Sequence, residues 1–487
     1  MAAKFYITTP IYYVNDQPHL GHAYTTLIAD VLARLQRRQL GSKQVWFLTG
    51  TDEHGAKVAE KAAAADLPVE EYVERVAGQF RQAWQALNIG YDDFIRTTDE
   101  RHAQAVTKIM GRLRAAQTPA GREALYLDEY QGLYCIGCEK FLTEKDLVDG
   151  LCPLHNRKPE LIKEKNWFFR LSDYLPTVEK LISSDELLIQ PVERKNEALG
   201  FIKQGLTDFS VSRQSVKWGL PIPWDQGQTI YVWVEALMNY VTAIGYLTDD
   251  KKFQSWWPAE VQLLGPEILK FHAIYWPALL LALGLSLPRK LLVHSFFTVD
   301  GQKMSKSLGN AIDPVKLAER YTADGARYLI LSQFAFGAEA DIKVSDFDER
   351  YTADLANGIG NLVARLTNLA EKSQVSGQII VPTDDRIARV HHLFLEAQIK
   401  EALNLIWEMI RESDQELEKV KPWQLARTDS AAAAELIWRL LSKLKLIGQL
   451  IEPVLPETAV KIAGLFKDGR VVKPANLFNR LDDHVSS

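Results

Sequence analysis

Along the first hundred residues, apolar runs alternate with amphipathic stretches at helical spacing. Lys4 to Thr8 reads as a buried strand, His22 to Arg38 as a helix and Gln44 to Leu48 as a second apolar strand. Such alternation predicts an α/β arrangement around a parallel sheet. The pattern breaks near residue 115: Thr118-Pro119-Ala120-Gly121 punctuates the chain, a short aromatic segment follows, and this part reads as an insertion. Alternation then resumes. Thr229 to Val234 and Val261 to Gly265 read as strands, Glu267 to Leu283 as a helix and Lys290 to His294 as a strand, while the proline-rich run Trp218 to Trp224 reads as a rigid connector. From Asp341 onward no strand alternation remains. Leu355, Ile359, Leu362, Leu366 and Leu369 recur at helical intervals, as do Leu403, Ile406 and Ile410, and a helix over Ala431 to Ile451 stops at Glu452-Pro453. The carboxyl-terminal part is therefore a predicted helical bundle.

Composition adds limits. At 487 residues the chain exceeds one ordinary core and suggests about three domain-sized units. Its 47% hydrophobic and 24% charged content is that of a soluble globular protein, and a net charge of -5 does not advertise nucleic-acid binding, although a local basic surface is enough for it. The longest apolar run, Pro277 to Leu287, is too short to span a bilayer, and the amino terminus has no signal-peptide core, so a cytoplasmic protein is expected. Three cysteines exclude a disulfide framework and suit a reducing compartment.

Those cysteines carry the first chemistry. Cys135-x2-Cys138-x13-Cys152-x2-His155 uses all of them, and each two-residue gap turns two ligands toward one tetrahedral centre. Four protein ligands leave no open position, so a single structural Zn2+ is predicted. Elsewhere, His19-Leu20-Gly21-His22 lies where a strand runs into a helix, an anion-binding geometry in which Gly21 admits a flat base or ribose; by itself the pattern also fits two histidines satisfied by neighbours. Asp52, in the polar turn Gly50 to Gly55, suits an ammonium partner or a helix N-cap before Ala56. Trp233, Ala236, Leu237 and Tyr240 share one helical face, a core stripe unless it lies at the sheet's carboxyl edge. Lys303-Met304-Ser305-Lys306, framed by glycines, is a cationic loop suited to polyphosphate, or a solvated surface loop.

Taken together, His19-Leu20-Gly21-His22 and Lys303-Met304-Ser305-Lys306-Ser307 resemble the paired signatures of class I aminoacyl-tRNA synthetases. The opening Thr9 to Asn15, the Gly50 to Gly55 turn, Tyr231-Val232-Trp233, Phe271 to Pro277 and the single knuckle are similar to the methionyl-tRNA synthetases, over residues 4 to 460. The resemblance implies a Rossmann-like doubly wound parallel sheet (1–114 and 215–310), interrupted by a zinc-binding insertion (115–214). It further implies a stem-contact connector (311–350) and an α-helical anticodon-binding domain (351–487). It implies that methionine, ATP with Mg2+, and tRNA(Met) are the partners, with an adenylate formed first and its methionyl group then passed to the tRNA's terminal adenosine. His19, His22, Lys303 and Lys306 are then catalytic, and with Gly21 and Glu267 they bind ATP. Asp52 takes the methionine ammonium with Arg213 as its charged neighbour; Ile11, Tyr13, Trp233, Ala236, Leu237, Tyr240, Phe271 and His272 enclose the thioether. Asn361, Arg365 and Trp423 match the anticodon readers.

Three departures qualify the likeness. Gly265-Pro266-Glu267 replaces a Gly-Lys-Asp common in the family, which removes a cation and lengthens a carboxylate. Ser413-Asp414-Gln415 lacks an expected asparagine, and the chain ends at Ser487 with no appended oligonucleotide-binding domain, so a monomer is expected. The competing readings are a class I synthetase for leucine, isoleucine, valine or cysteine, and a non-catalytic tRNA-binding relative.

Overall fold

The computed structural model describes residues 4–136, 140–142, 144–153, 156–303, 312–374, 380–467, 470–474 and 476–481. The chain divides into two compact units, Met1–Pro18, Leu40–Arg81 and Tyr91–His294 forming the first, and His19–Gln39, Gln82–Gly90 and Ser295–Ser487 the second.

The strands of the first unit are, in chain order, β1 (Phe5–Tyr13), β2 (Val45–Asp52), β3 (Asp93–Arg96), β4 (Leu125–Cys135), β5 (Lys140–Leu142), β6 (Glu160–Phe169), β7 (Leu188–Gln190), β8 (Phe209–Ser210), β9 (Ser212–Arg213), β10 (Pro221–Ile222), β11 (Asp225–Ile230), β12 (Val261–Leu264) and β13 (Lys290–Val293). Six of them make one parallel sheet in the order β3-β2-β1-β12-β13-β7, so the strand order reverses between β1 and β12. β1 and β2 are buried along most of their length, as strands covered on both faces must be. β1 runs past its expected end at Thr8 to Tyr13, and Pro10, which has no N–H to donate, is accommodated where the pairing with β2 shifts between Thr8 and Ile11. Gly50 on β2 is needed for close approach: a Cβ there would lie 2.0 Å from the Ile95 carbonyl oxygen of β3.

The insertion folds as an antiparallel sheet in the order β5-β4-β6-β8, with β4 and β6 paired from Leu125 to Tyr134. Within the same stretch, β7 pairs with β13 as an edge of the parallel sheet. The connector Trp218 to Trp224 contains only a two-residue edge strand, β10, which pairs with β11. Two local expectations are corrected. The strand expected over Thr229 to Val234 stops at Ile230, and Val232–Leu237 is helical; Val232, Val234, Glu235, Ala236 and Leu237 are all buried, so no apolar period marks the change. The single helix expected over Glu267 to Leu283 is instead a 3₁₀ turn (Pro266–Ile268), a π turn (Phe271–Tyr275) and an α-helix (Trp276–Ala282) whose first turn holds Pro277.

The second unit contains the helix Leu20–Leu40, the β14 (Phe297–Val299) and β15 (Gln302–Lys303) hairpin, β16 (Ala340–Ile342), and the helices Pro314–Leu331, Asn361–Lys372, Ile399–Val420, Ser430–Ile451 and Pro456–Ala463. Leu355, Ile359, Leu362, Leu366, Leu403, Ile406 and Ile410 are buried, as their spacing predicts. Strand structure does persist after Ala340: β16 pairs with β14, and β17 (Phe466–Lys467) forms a small hairpin with β18 (Arg470–Val471). No helix among the described residues is long and apolar enough to cross a membrane.

One fully buried ion pair ties several of these segments. Arg327 Nη2 lies 2.7 Å from Asp30 Oδ2, and neither side chain has any exposure. The guanidinium also donates to the carbonyls of Val454 (2.7 Å), Pro453 (2.8 Å) and Leu87 (3.1 Å), while Asp30 accepts from Arg34 and from the Gly90 N–H. Burial opposes the charge on Asp30, but Arg327 and Arg34 outweigh it and hold its pKa below the usual value. Because removing one partner strands the other in the interior, Arg327→Ala should destabilise the protein by about 3–5 kcal/mol. Denaturant titration measures this, and a loss near zero would show that the pair contributes nothing.

Candidate functional site

In the first unit, β1 pairs in parallel with β2 on one side and β12 on the other, so their carboxyl ends lie together at the strand-order reversal. Ligands of open α/β sheets bind at such a point. β1 brings Ile11 and Tyr13 there, in register with Gly50 and Asp52 of β2. Asp52 is buried at the end of its strand; the N-cap of the Ala56–Ala64 helix is Gly55, with no side-chain cap, which removes the capping alternative for Asp52. β12 leads into Gly265 and the exposed Glu267, where a Cβ on residue 265 would meet the Glu267 carboxylate at 2.7 Å.

The Val232–Leu237 helix and the Phe271–Tyr275 turn supply a wall. Trp233 stacks on Phe271 with ring centroids 4.2 Å apart and planes within 9°. Ala236 and Leu237 are buried beside them in sequence, and Ile11, Tyr13 and Trp233 pack on the cluster that holds Leu237, Tyr240 and Phe271. Tyr240 and His272 form a buried pair, with Oη 2.7 Å from Nε2. The Ile268 carbonyl sits 3.0 Å from His272 Nδ1 and can only accept, so Nδ1 carries the hydrogen. Burial pulls the His272 pKa down to about 4, which keeps the ring neutral and leaves Nε2 to accept the Tyr240 hydroxyl. Burial likewise pushes Tyr240 upward, so its proton stays on. The pair therefore has hydrogen-bonding direction but no charge.

Arg213, buried on β9, places its guanidinium 4.0 Å from the centre of the Tyr231 ring and donates to the Ser212 carbonyl. It borders a cleft shared with His54, Gly55, Tyr134 and Trp218. The polar network behind Asp52 was not legible as a site. Glu53 is buried on a fork from Arg96, and His54 Nδ1 lies 2.7 Å from Glu235 Oε1, 181 residues away in sequence. Only the crowding of titratable residues after Asp52 hinted at it.

In the second unit the first signature segment lies beside residues that flank the second, Phe297 before it and Ile312 after it. His19 Nδ1 accepts from the Gly21 N–H at 3.1 Å, and His22 Nδ1 accepts from the His19 N–H at 3.2 Å. This is a reciprocal helix cap made of imidazoles in place of the usual hydroxyl and carboxylate. The rings stack 3.8 Å apart. Since each Nδ1 accepts, each Nε2 carries a hydrogen to donate. A Cβ at Gly21 would lie 3.0 Å from the His19 ring and 3.7 Å from Phe297, so glycine suits this cap. The next N–H, that of Leu20, donates to the carbonyl of Ile312, which follows the lysine loop. That loop leaves the β14–β15 hairpin, whose turn residues Asp300 and Gly301 both have positive φ, as a tight hairpin requires. Lys303 lies on β15, in register with Thr298. Lys306 lies outside the described residues.

Of the four knuckle positions, Cys135 at the end of β4 and Cys152 are buried together with Leu142, and neither is in a disulfide. Cys138 and His155 lie outside the described residues. Two buried thiols in one small apolar cluster suit a soft metal. Among the described residues no group of three or more His, Cys, Asp or Glu is arranged to hold an ion.

Asn361 is exposed at the start of its helix, Trp423 is 40% exposed on the short helix Pro422–Leu425, and Arg365 is paired with Asp414 (3.2 Å) and Glu418 (2.6 Å).

Comparison with known proteins fits this arrangement. Residues 5–367 match the family model described as tRNA synthetases class I (M). A methionine–tRNA ligase of Caldanaerobacter subterraneus is 39% identical, covering 99% of this chain and 80% of that one, and one from Synechocystis is 40% identical, covering 94% and 88%. The structure is similar to that of Mycobacterium tuberculosis methionyl-tRNA synthetase in complex with methionyl-adenylate, with a TM-score of 0.90 and 35% identity over 98% of this chain and 100% of that one.

Tyr240→Phe keeps the ring but leaves His272 Nε2 without its donor in a buried setting. It should cost about 1–3 kcal/mol of stability, measurable by urea titration; an unchanged midpoint would show that the hydroxyl is dispensable.

Proposed function

The chain belongs to the methionyl-tRNA synthetase family of class I aminoacyl-tRNA synthetases, and we propose on that basis how its residues carry out the family's reaction. The protein is a methionine–tRNA ligase: it activates methionine with ATP to methionyl-adenylate and pyrophosphate, then transfers methionine to the 3′-terminal adenosine of tRNA(Met). The observation that carries the reading of the amino-acid site is the uncharged Tyr240–His272 pair beside the stacked Trp233 and Phe271 rings. A long, unbranched thioether gains from aromatic faces and is not opposed by a fixed charge.

In the first step a methionine carboxylate oxygen attacks the α-phosphorus and the bond to pyrophosphate breaks. The nucleophile is already ionised near neutral pH, so the site supplies alignment and charge stabilisation and no strong base. Asp52 takes the methionine ammonium, with Arg213 as its charged neighbour. Ile11, Tyr13, Trp233, Ala236, Leu237, Tyr240, Phe271 and His272 enclose the side chain, and Glu267 contacts the ribose. The Nε2–H donors of His19 and His22 serve the α-phosphate, a role supported by the tautomer that their cap imposes. Lys303 and Lys306 neutralise the β and γ phosphates, and Mg2+ accompanies ATP. In the second step the terminal adenosine hydroxyl attacks the methionyl carbonyl and AMP leaves. Asn361, Arg365 and Trp423 read the anticodon, for which amide, guanidinium and indole groups are suited.

Cys135, Cys138, Cys152 and His155 would hold one Zn2+, and four protein ligands would give it a structural role with no open position for the chemistry. The shared burial of Cys135 and Cys152 supports this set.

His22→Ala and Lys306→Ala should each lower methionine-dependent pyrophosphate exchange by roughly 10²–10³-fold; near-normal exchange in both variants would defeat the assignment. Metal analysis of purified protein should find about one zinc per chain, lost in Cys152→Ser. A metal-free wild type would remove the knuckle.

A further inference from the structure

The His54–Glu235–His102 cluster plays no part in the chemistry described above, yet it is built at high cost. Glu235 has no exposure, and neither has His102. Glu235 Oε1 lies 2.7 Å from His54 Nδ1 and 3.6 Å from His102 Nε2, and the far side of His102 is held by Thr242 Oγ1, 2.7 Å from Nδ1. A buried carboxylate loses several kcal/mol of hydration and is retained only where partners replace the water. Burial acts against the ionised form of Glu235, but the two imidazoles prevail and bring its pKa down to about 2. Burial also acts against charge on His54, and Glu235 with Glu53 prevails to hold it above its usual value.

The location of this pair gives it a use. Glu235 lies on the six-residue helix Val232–Leu237, between Trp233 on one side and Ala236 and Leu237 on the other. Successive residues on a helix differ in direction by about 100°, so a small rotation of so short an element turns its wall residues away. Apolar packing resists such rotation weakly because it is non-directional, whereas a 2.7 Å bond to a carboxylate has a fixed direction. His54 in turn is two residues from Asp52, in a turn pinned by Trp218, whose indole N–H donates to the Glu53 carbonyl and whose own carbonyl accepts from Gly55.

We propose that Glu235 is a positioning residue for methionine: through His54 and His102 it sets the distance and angle between the carboxylate of Asp52 and the wall of Trp233, Ala236 and Leu237. The proposal rests on the assignment of that wall and of Asp52 to methionine. Glu235 thereby fixes how long an amino-acid side chain can be when its ammonium is bound.

Pyrophosphate exchange with the full chain tests this. Glu235→Gln keeps the shape and removes the charge; it should raise the KM for methionine about tenfold or more, the loss of one charged hydrogen bond. The kcat and the KM for ATP should stay within a factor of about three. Discrimination between methionine and ethionine should narrow in the same variant. Glu235→Asp, which restores the carboxylate, should recover part of the methionine KM. Thr242→Val, which frees only the outer end at His102, should give a smaller shift of the same kind, and keeps the test alive if Glu235→Gln fails to fold. Equal losses in methionine and ATP parameters across the variants, or no change in any, would overturn the proposal. A wild-type protein without methionine-dependent exchange would instead overturn the functional reading beneath it.

Discussion

A parallel sheet can be built only with crossovers, so all its strands end on one edge and the chain must turn there after every strand. In the first unit that constraint decides where chemistry is possible. β1, β2 and β12 end side by side in Ile11 to Tyr13, in Asp52 and in the turn bearing Glu267, residues that are up to 256 positions apart in sequence. The aromatic wall is less directly imposed. Trp233 and Phe271 come from different elements, one a short helix and the other a π turn, and their stacking is what joins them.

The two units hold charge in different ways. In the second, Arg327 answers Asp30 and four carbonyls at once, two of them, Pro453 and Val454, just past the end of the Ser430–Ile451 helix. In the first, Glu235 is answered by two imidazoles, groups that carry charge only when protonated. The former is a fixed joint. The latter sits directly behind residues assigned to substrate.

Much of this was legible from pattern alone. The helical bundle was, because its apolar residues recur at helical intervals, and Leu355, Ile359, Leu362 and Leu366 are all buried although the first two lie in a π segment, Tyr351–Gly360, and the last two in the α-helix after it. The strand-to-helix turn at His19 was visible as well, although its meaning as a reciprocal cap was not, since nothing in a sequence shows which ring nitrogen accepts. Pattern misled where burial was complete. Val232 to Val234, two valines around a tryptophan, read as the end of a strand and fold as the start of a helix in which every residue but Trp233 is buried, so no amphipathic period marks it. The Glu267 to Leu283 stretch carries a helical period but includes Pro277 and a widened turn, which periodicity cannot resolve. Pairing across long separations leaves little local trace: none for Asp30 and Arg327, and for His54 and Glu235 only the crowding of titratable residues after Asp52.

The widened turn at Phe271–Tyr275 has a further consequence. A π turn is what remains when one residue is added to an α-helix, with the surplus absorbed in a single i→i+5 loop. Between the end of β12 and the Trp276–Ala282 helix the residue count is therefore as much a part of the structure as the residue types. Removing one position would restore an ordinary α-helix and swing Phe271 and His272 by about 100° about its axis, away from Trp233 and Tyr240. A lineage can exchange side chains here one at a time, but it cannot change the length of this segment without losing both contacts in the same step.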